Sequence, residues 1–206
     1  MNLLRLFVGA AVALSVAACS LPGQPKRPVT HFILADAAAP ASRAGAAKPA
    51  TLLLHEMEAA PFQQDTRLIH SRAAGTRAHY QYAAWSEPAP RRLTWLLRQR
   101  LQAAGVFAAV APLGAGVVGD YQLNTRLIDF YHDAATAPGQ ARLVLEVELV
   151  ERAAARLVAR RIFVAQTPLT RYDAEAAAEA AAEALGGAAN EVLDAVIAWL
   201  AATAPQ

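Results

Sequence analysis

The chain has 206 residues, of which 55% are hydrophobic and 17% charged, with a formal net charge of +2. That length and apolar content suffice for one domain with its own core, and a charge so close to zero gives no electrostatic reason to expect nucleic acid. A single cysteine excludes an internal disulfide and a multi-thiolate metal site.

The N-terminus begins Met1-Asn2-Leu3-Leu4-Arg5 and stays apolar to Ala18. A positive flank, a short hydrophobic stretch and small residues before a cleavage point mark a secretory signal rather than a spanning helix. The sole cysteine, Cys19, follows Val16-Ala17-Ala18, where a bacterial lipoprotein signal carries its lipobox. The resemblance implies that residues 1–18 are removed and that Cys19 is lipidated, carrying palmitate among its acyl chains. Ser20 stands where aspartate would retain such a protein at the inner membrane, which favours the outer membrane. Residues 19–28 read as the lipidated cysteine and a proline-rich tether, of which residues 20–28 favour the extended polyproline form at about 3.1 Å per residue, roughly 25 Å long.

Residues 29–206 read as one domain. Thr30–Ala35 is expected as a strand, with Phe32 and Leu34 on one side. Residues 37–50 are low in complexity and predict a solvated loop. Leu52, Leu53, Leu54 and Met57 mark a second strand. Arg67–Arg72 and His79–Ala83 predict a hairpin around Gly75. Trp85-Ser86-Glu87-Pro88-Ala89-Pro90 predicts a stiff turn into a helix whose Leu93, Leu96, Leu97 and Leu101 share a face, with Arg91, Arg92, Arg98 and Gln102 elsewhere and Gly105 as its stop. Phe107–Val110 is a candidate short strand.

Period-two alternation is clearest at Tyr121–Leu127 and Leu143–Val150, separated by a loop with Pro138-Gly139, and continues over Arg156–Ala165. Such patterning predicts half-buried antiparallel strands. Asp173 is a candidate N-cap for a final helix. Glu175, Glu179 and Glu183 form its polar stripe, and Val192, Leu193, Val196, Ile197, Trp199 and Leu200 its packing face. Gly186-Gly187 is expected to bend or split it. The fold class that follows is α+β: an antiparallel or mixed sheet with two amphipathic helices on one face, in two layers.

Chemistry-bearing patterns are sparse. His31, His55, His70, His79 and His132 show no metal-ligand spacing and predict scattered strand or loop positions, with no metal bound. No serine stands in GxSxG, and Gly114, Gly116 and Gly119 match neither GxGxxG nor a phosphate-binding loop. Glu146 and Glu148 share a strand face and are expected on a solvated surface rather than as a catalytic pair. The arginine face of the first helix is likewise expected in solvent. Tyr80, Tyr82 and Trp85 form an aromatic patch expected to be core rather than a ligand groove. These patterns indicate no enzyme activity and no cofactor.

Thr66-Arg67-Leu68-Ile69-His70-Ser71-Arg72, followed by Ala78-His79-Tyr80-Gln81-Tyr82 and Trp85-Ser86-Glu87-Pro88, resembles the ABC-type transport auxiliary lipoprotein family (PqiC-like). In that family an R-x-[IL]-x-x-R segment leads into an aromatic strand, then W-[AS]-x-P, then an amphipathic helix. Arg67, Ile69, Arg72, Tyr82, Trp85 and Pro88 match position by position. His31-Phe32-Ile33-Leu34 resembles the family's opening Tyr-Tyr-x-Leu strand, and Ile197-Ala198-Trp199-Leu200 its closing helix. The matched residues are expected to serve the fold rather than a binding site.

The resemblance implies a non-catalytic lipoprotein that docks at the outer membrane, on its periplasmic face. Its partners would be an MCE-domain protein and that protein's ABC permease–ATPase complex, with phospholipid as the transported class. ATP hydrolysis would belong to another subunit, in keeping with the missing phosphate-binding loop. Two other roles are carried as alternatives: an envelope-assembly lipoprotein of different machinery, and a protein that carries lipid directly in an apolar cavity of several hundred cubic ångströms.

Overall fold

The computed structural model describes residues 27–37, 47–170 and 176–203. The signal, Cys19, Asp173 and Glu175 lie outside them. Among the described residues the order is β1 (Thr30–Phe32), β2 (Lys48–Leu54), β3 (Glu58–Ala59), a 3-10 turn (Pro61–Gln63), β4 (Arg67–Ser71), β5 (Ala78–Trp85), α1 (Ala89–Ala104), β6 (Phe107–Pro112), β7 (Tyr121–Asp133), β8 (Gln140–Glu151), β9 (Arg156–Pro168) and α2 (Ala177–Thr203). The fold is α+β, with one mixed sheet and the helices packed against it.

β7 is the spine of the sheet. Along one edge it pairs antiparallel with β8 from Tyr121↔Glu151 to Asp133↔Gln140, and β8 in turn pairs with β9. Along its other edge three short strands follow one another, all parallel to it: β2 beside Leu123, β3 beside Arg126 and Leu127, and β4 beside His132. β2 carries β6 outward on one wing, while β4 carries β5 and then β1 on the other. The β7–β8–β9 meander is the alternating pattern of the sequence made physical. Leu123, Leu127, Leu143, Leu145, Val147, Leu149 and Phe163 all point into the core.

Helix α1 starts on Pro88, whose fixed φ suits a helix entry. It ends on Gly105, at φ 62°, whose N–H bonds Leu101 O at 3.2 Å. Glycine takes that left-handed cap at little cost. The predicted face, Leu93, Leu96, Leu97 and Leu101, is at most 2% exposed. Each such leucine contributes about 1.5–3 kcal/mol of burial.

Several expectations change. The first strand ends at Phe32, because the Leu34 carbonyl turns away to accept a hydrogen bond from Arg92 Nε at 2.9 Å. The loop expected to run to residue 50 ends sooner, since Lys48–Ala50 already belongs to β2. Trp85 closes β5 rather than opening a turn. Gly186-Gly187 does not split the last helix, which is continuous from Ala177 to Thr203. The Asn190 side chain donates to Gly186 O at 2.8 Å, and the surrounding alanines favour helix. That helix is long and apolar enough in composition to cross a membrane. Its apolar face, however, lies on β8 and β9, with Leu185, Val196 and Leu200 fully buried.

Candidate functional site

Among the described residues, a cleft of about 840 Å³ lies at the wing formed by β1, β5 and β4, closed on one side by the first turn of α2. Arg27 and Pro28, where the described chain begins, sit at its rim. Its floor is built from two cross-strand neighbours, since β4 and β7 pair at His70↔His132. His132 is fully buried. Its Nδ1 is hydrogen-bonded to Tyr80 Oη at 2.7 Å and its Nε2 faces Pro138 O at 3.4 Å. A carbonyl can only accept, so the proton belongs on Nε2 and the Tyr80 hydroxyl donates to Nδ1.

Burial pushes the His132 pKa below its usual range, against the smaller raising effects of Pro138 and Asp133. Burial also lowers His70, helped by the positive field of Arg72 and by His132 and His79. His70 stands 4.8 Å, ring to ring, from Tyr80, and its Nδ1 is buried with no hydrogen-bond partner. The floor is therefore neutral, and the cleft's positive charge sits on arginine at its rim.

The family-motif residues separate into two groups. Ile69 and Trp85 are buried, with Trp85 stacked on Phe130 at 5.7 Å between centroids. Pro88 caps α1, and Arg67 is tied to Asp65 at the start of β4. Arg72 and Tyr82, by contrast, are exposed and line the cleft. The aromatic patch expected to be core is thus divided: Trp85 is core, whereas Tyr80 and Tyr82 face the cleft.

A second concavity, of about 370 Å³, lies on the opposite face of the sheet. Arg126 reaches Glu58 at 3.2 Å, and Arg160 bridges Glu146 and Glu148 across β8 and β9. Glu146 is only 7% exposed, so the expectation of a solvated carboxylate fails for it. The register Glu148↔Arg160 places a cation between the two acids, which is an ion-pair ladder rather than an acid–base dyad.

Other reactive residue types have structural partners. Ser71 Oγ donates to Ala73 O at 2.8 Å. The described residues hold no cluster of His, Cys, Asp or Glu fit for a metal. Arg100, whose charge alone suggests a solvated position, is 4% exposed. It bonds Asp36, Asn190 and, at 2.7 Å, Asp194, joining the segment after β1 to both helices. Its position on the leucine side of α1 was the available signal. For the cleft the only hint was Tyr80 and Tyr82 at strand spacing, because its histidines meet through pairing of strands far apart in sequence.

The fold is similar to that of protein XCC0632 from Xanthomonas campestris, at 24% identity and a TM-score of 0.74, covering 84% of this chain and 96% of that one. It is also similar to the hypothetical protein CT253 from Chlamydia trachomatis, at 6% identity and a TM-score of 0.52, covering 76% of this chain and 98% of the other. At these identities the likeness is one of fold. No curated protein matches the chain. The sequence model for the ABC-type transport auxiliary lipoprotein component matches residues 32–193, from the end of β1 well into α2. A match over so much of the chain shows the family, and the protein belongs to the ABC-type transport auxiliary lipoproteins.

Proposed function

We propose that the protein is the outer-membrane-anchored, periplasmic auxiliary lipoprotein of an ABC transport system that moves phospholipid between membranes with an MCE-domain protein. Its role is to dock and assemble that system, without catalysis of its own. The observation that carries this reading is the family match across residues 32–193. Cys19 after its short apolar leader supports the anchor, since several acyl chains together hold a domain at a bilayer where one holds it weakly. The buried polar groups support the non-catalytic role: Arg100 clamps helices, Glu146 meets Arg160 and Ser71 closes a turn.

Two measurements test the reading. Metabolic labelling with palmitate is expected to mark the wild-type protein and not Cys19→Ala. A Cys19→Ala chain exported behind an ordinary signal peptide is expected to co-purify with the MCE protein yet fail to complement a deletion strain. An unlabelled wild-type protein, or one that retains neither the MCE protein nor the permease, overturns it.

A further inference from the structure

We propose that the cleft between β1, β5 and the first turn of α2 binds a single phospholipid, its phosphodiester on Arg72 and an acyl chain along the wall of Phe32, Tyr82, Ala177 and Ala178. This deepens the transport reading above and rests on it for the choice of lipid class.

Three observations lead there. The first is size and lining. About 840 Å³ lies within the range of small-molecule sites, and an aromatic and aliphatic wall runs directly into a cationic rim. The second is charge. Arg72 is exposed and makes no ion pair or hydrogen bond among the described residues, although arginines elsewhere, such as Arg67, Arg126 and Arg160, are paired to carboxylates. Its fork of donors matches phosphate oxygens. With His70 and His132 held neutral, Arg72 is the available charge beside that floor. The third is position. Arg27 and Pro28 at the rim are the C-terminal end of the tether that leads from Cys19, so the mouth lies where the tether enters the domain.

A phosphate group is common to lipid headgroups and to free phosphate, and the lining favours the lipid: free phosphate leaves the apolar wall without an occupant.

The test uses the full lipidated protein in vesicles of phosphatidylethanolamine and phosphatidylglycerol. These are doped with a phosphatidylethanolamine whose acyl chain ends in a photoactivatable diazirine. Illumination is expected to label peptides containing Phe32, Tyr82 or Ala177-Ala178. Arg72→Ala, a surface change that leaves the core intact, is expected to cut that labelling roughly tenfold, and Arg72→Lys to restore part of it. Ala178→Trp, which fills the wall, is expected to abolish it.

Soluble dihexanoyl phosphatidylethanolamine should compete, and inorganic phosphate should not. Labelling confined to the tether, labelling unchanged in Arg72→Ala, or phosphate competing as well as the short-chain lipid each overturns the proposal. Co-purification with the MCE protein, measured on the same variants, keeps the two readings apart. If it persists without cleft labelling, the site fails and the docking role stands; cleft labelling without it gives the reverse.

Discussion

At the scale of single residues, one buried polar set ties together segments far apart in sequence. Arg100 joins Asp36, Asn190 and Asp194, and removing one member of such a set strands the others. Asp194 is 63% exposed and Asp36 35%, so part of the loss is relieved by water. Arg100→Met is therefore expected to cost about 2–4 kcal/mol in urea unfolding, and Asp194→Asn less than about 1 kcal/mol.

The histidines of the cleft floor set a pH dependence. Burial lowers both His70 and His132 from the ordinary 6.5, so below about that pH the unfolded chain binds more protons than the native one. Stability is then full above 6.5 and declines as pH falls from there towards the lower native values. Urea midpoints should drop between about pH 7.5 and about pH 5.5. His132→Gln should lower the midpoint at the higher pH while flattening that drop, and a drop as steep as wild type would refute the assignment. Gly139 lies against the His132 ring. At φ 88° a Cβ there would approach His132 Nε2 to 2.4 Å, so only glycine lets the loop close over that ring.

At the scale of elements, what could be read in advance follows from periodicity. α1 was legible because Leu93, Leu96, Leu97 and Leu101 recur at helical spacing before Gly105. β8 was legible because Leu143, Leu145, Val147 and Leu149 alternate with Val144, Glu146, Glu148 and Val150. Parallel pairing leaves no such mark. Nothing in Glu58-Ala59 announces a two-residue strand beside Arg126 and Leu127, and nothing in Leu52–Leu54 says that β7 and β6 flank it.

α2 shows how context overrides a local signal. Its paired glycines lie within a run whose buried alanines pack on the sheet, and a Cβ on Gly186 would meet nothing within 4 Å. Gly186→Ala is therefore expected to stabilise the protein by about 0.5–1 kcal/mol, through lower entropy of the unfolded chain. A destabilised variant in thermal or urea unfolding would show that the helix needs that glycine.

At the scale of the whole molecule, the sheet interleaves distant parts of the chain. β1 joins the wing of β4 and β5, β2 joins β6, and β7 ties the wings together along one edge. The candidate site was illegible for the same reason: His70, Tyr80, His132 and Ala177 meet only after those wings are assembled. The topology also fixes how the molecule carries mechanical load. A pull from a bilayer would enter at Arg27 and reach β1, three residues paired to one strand. Behind β1 the chain is riveted in sequence, by Arg92 on the Leu34 carbonyl, by Arg100 on Asp36 and by Asn190 on the Ala37 amide at 3.2 Å. Tension would therefore peel a short ribbon and then stop at α1 and α2, leaving the β7–β8–β9 meander slack while the leash is taut.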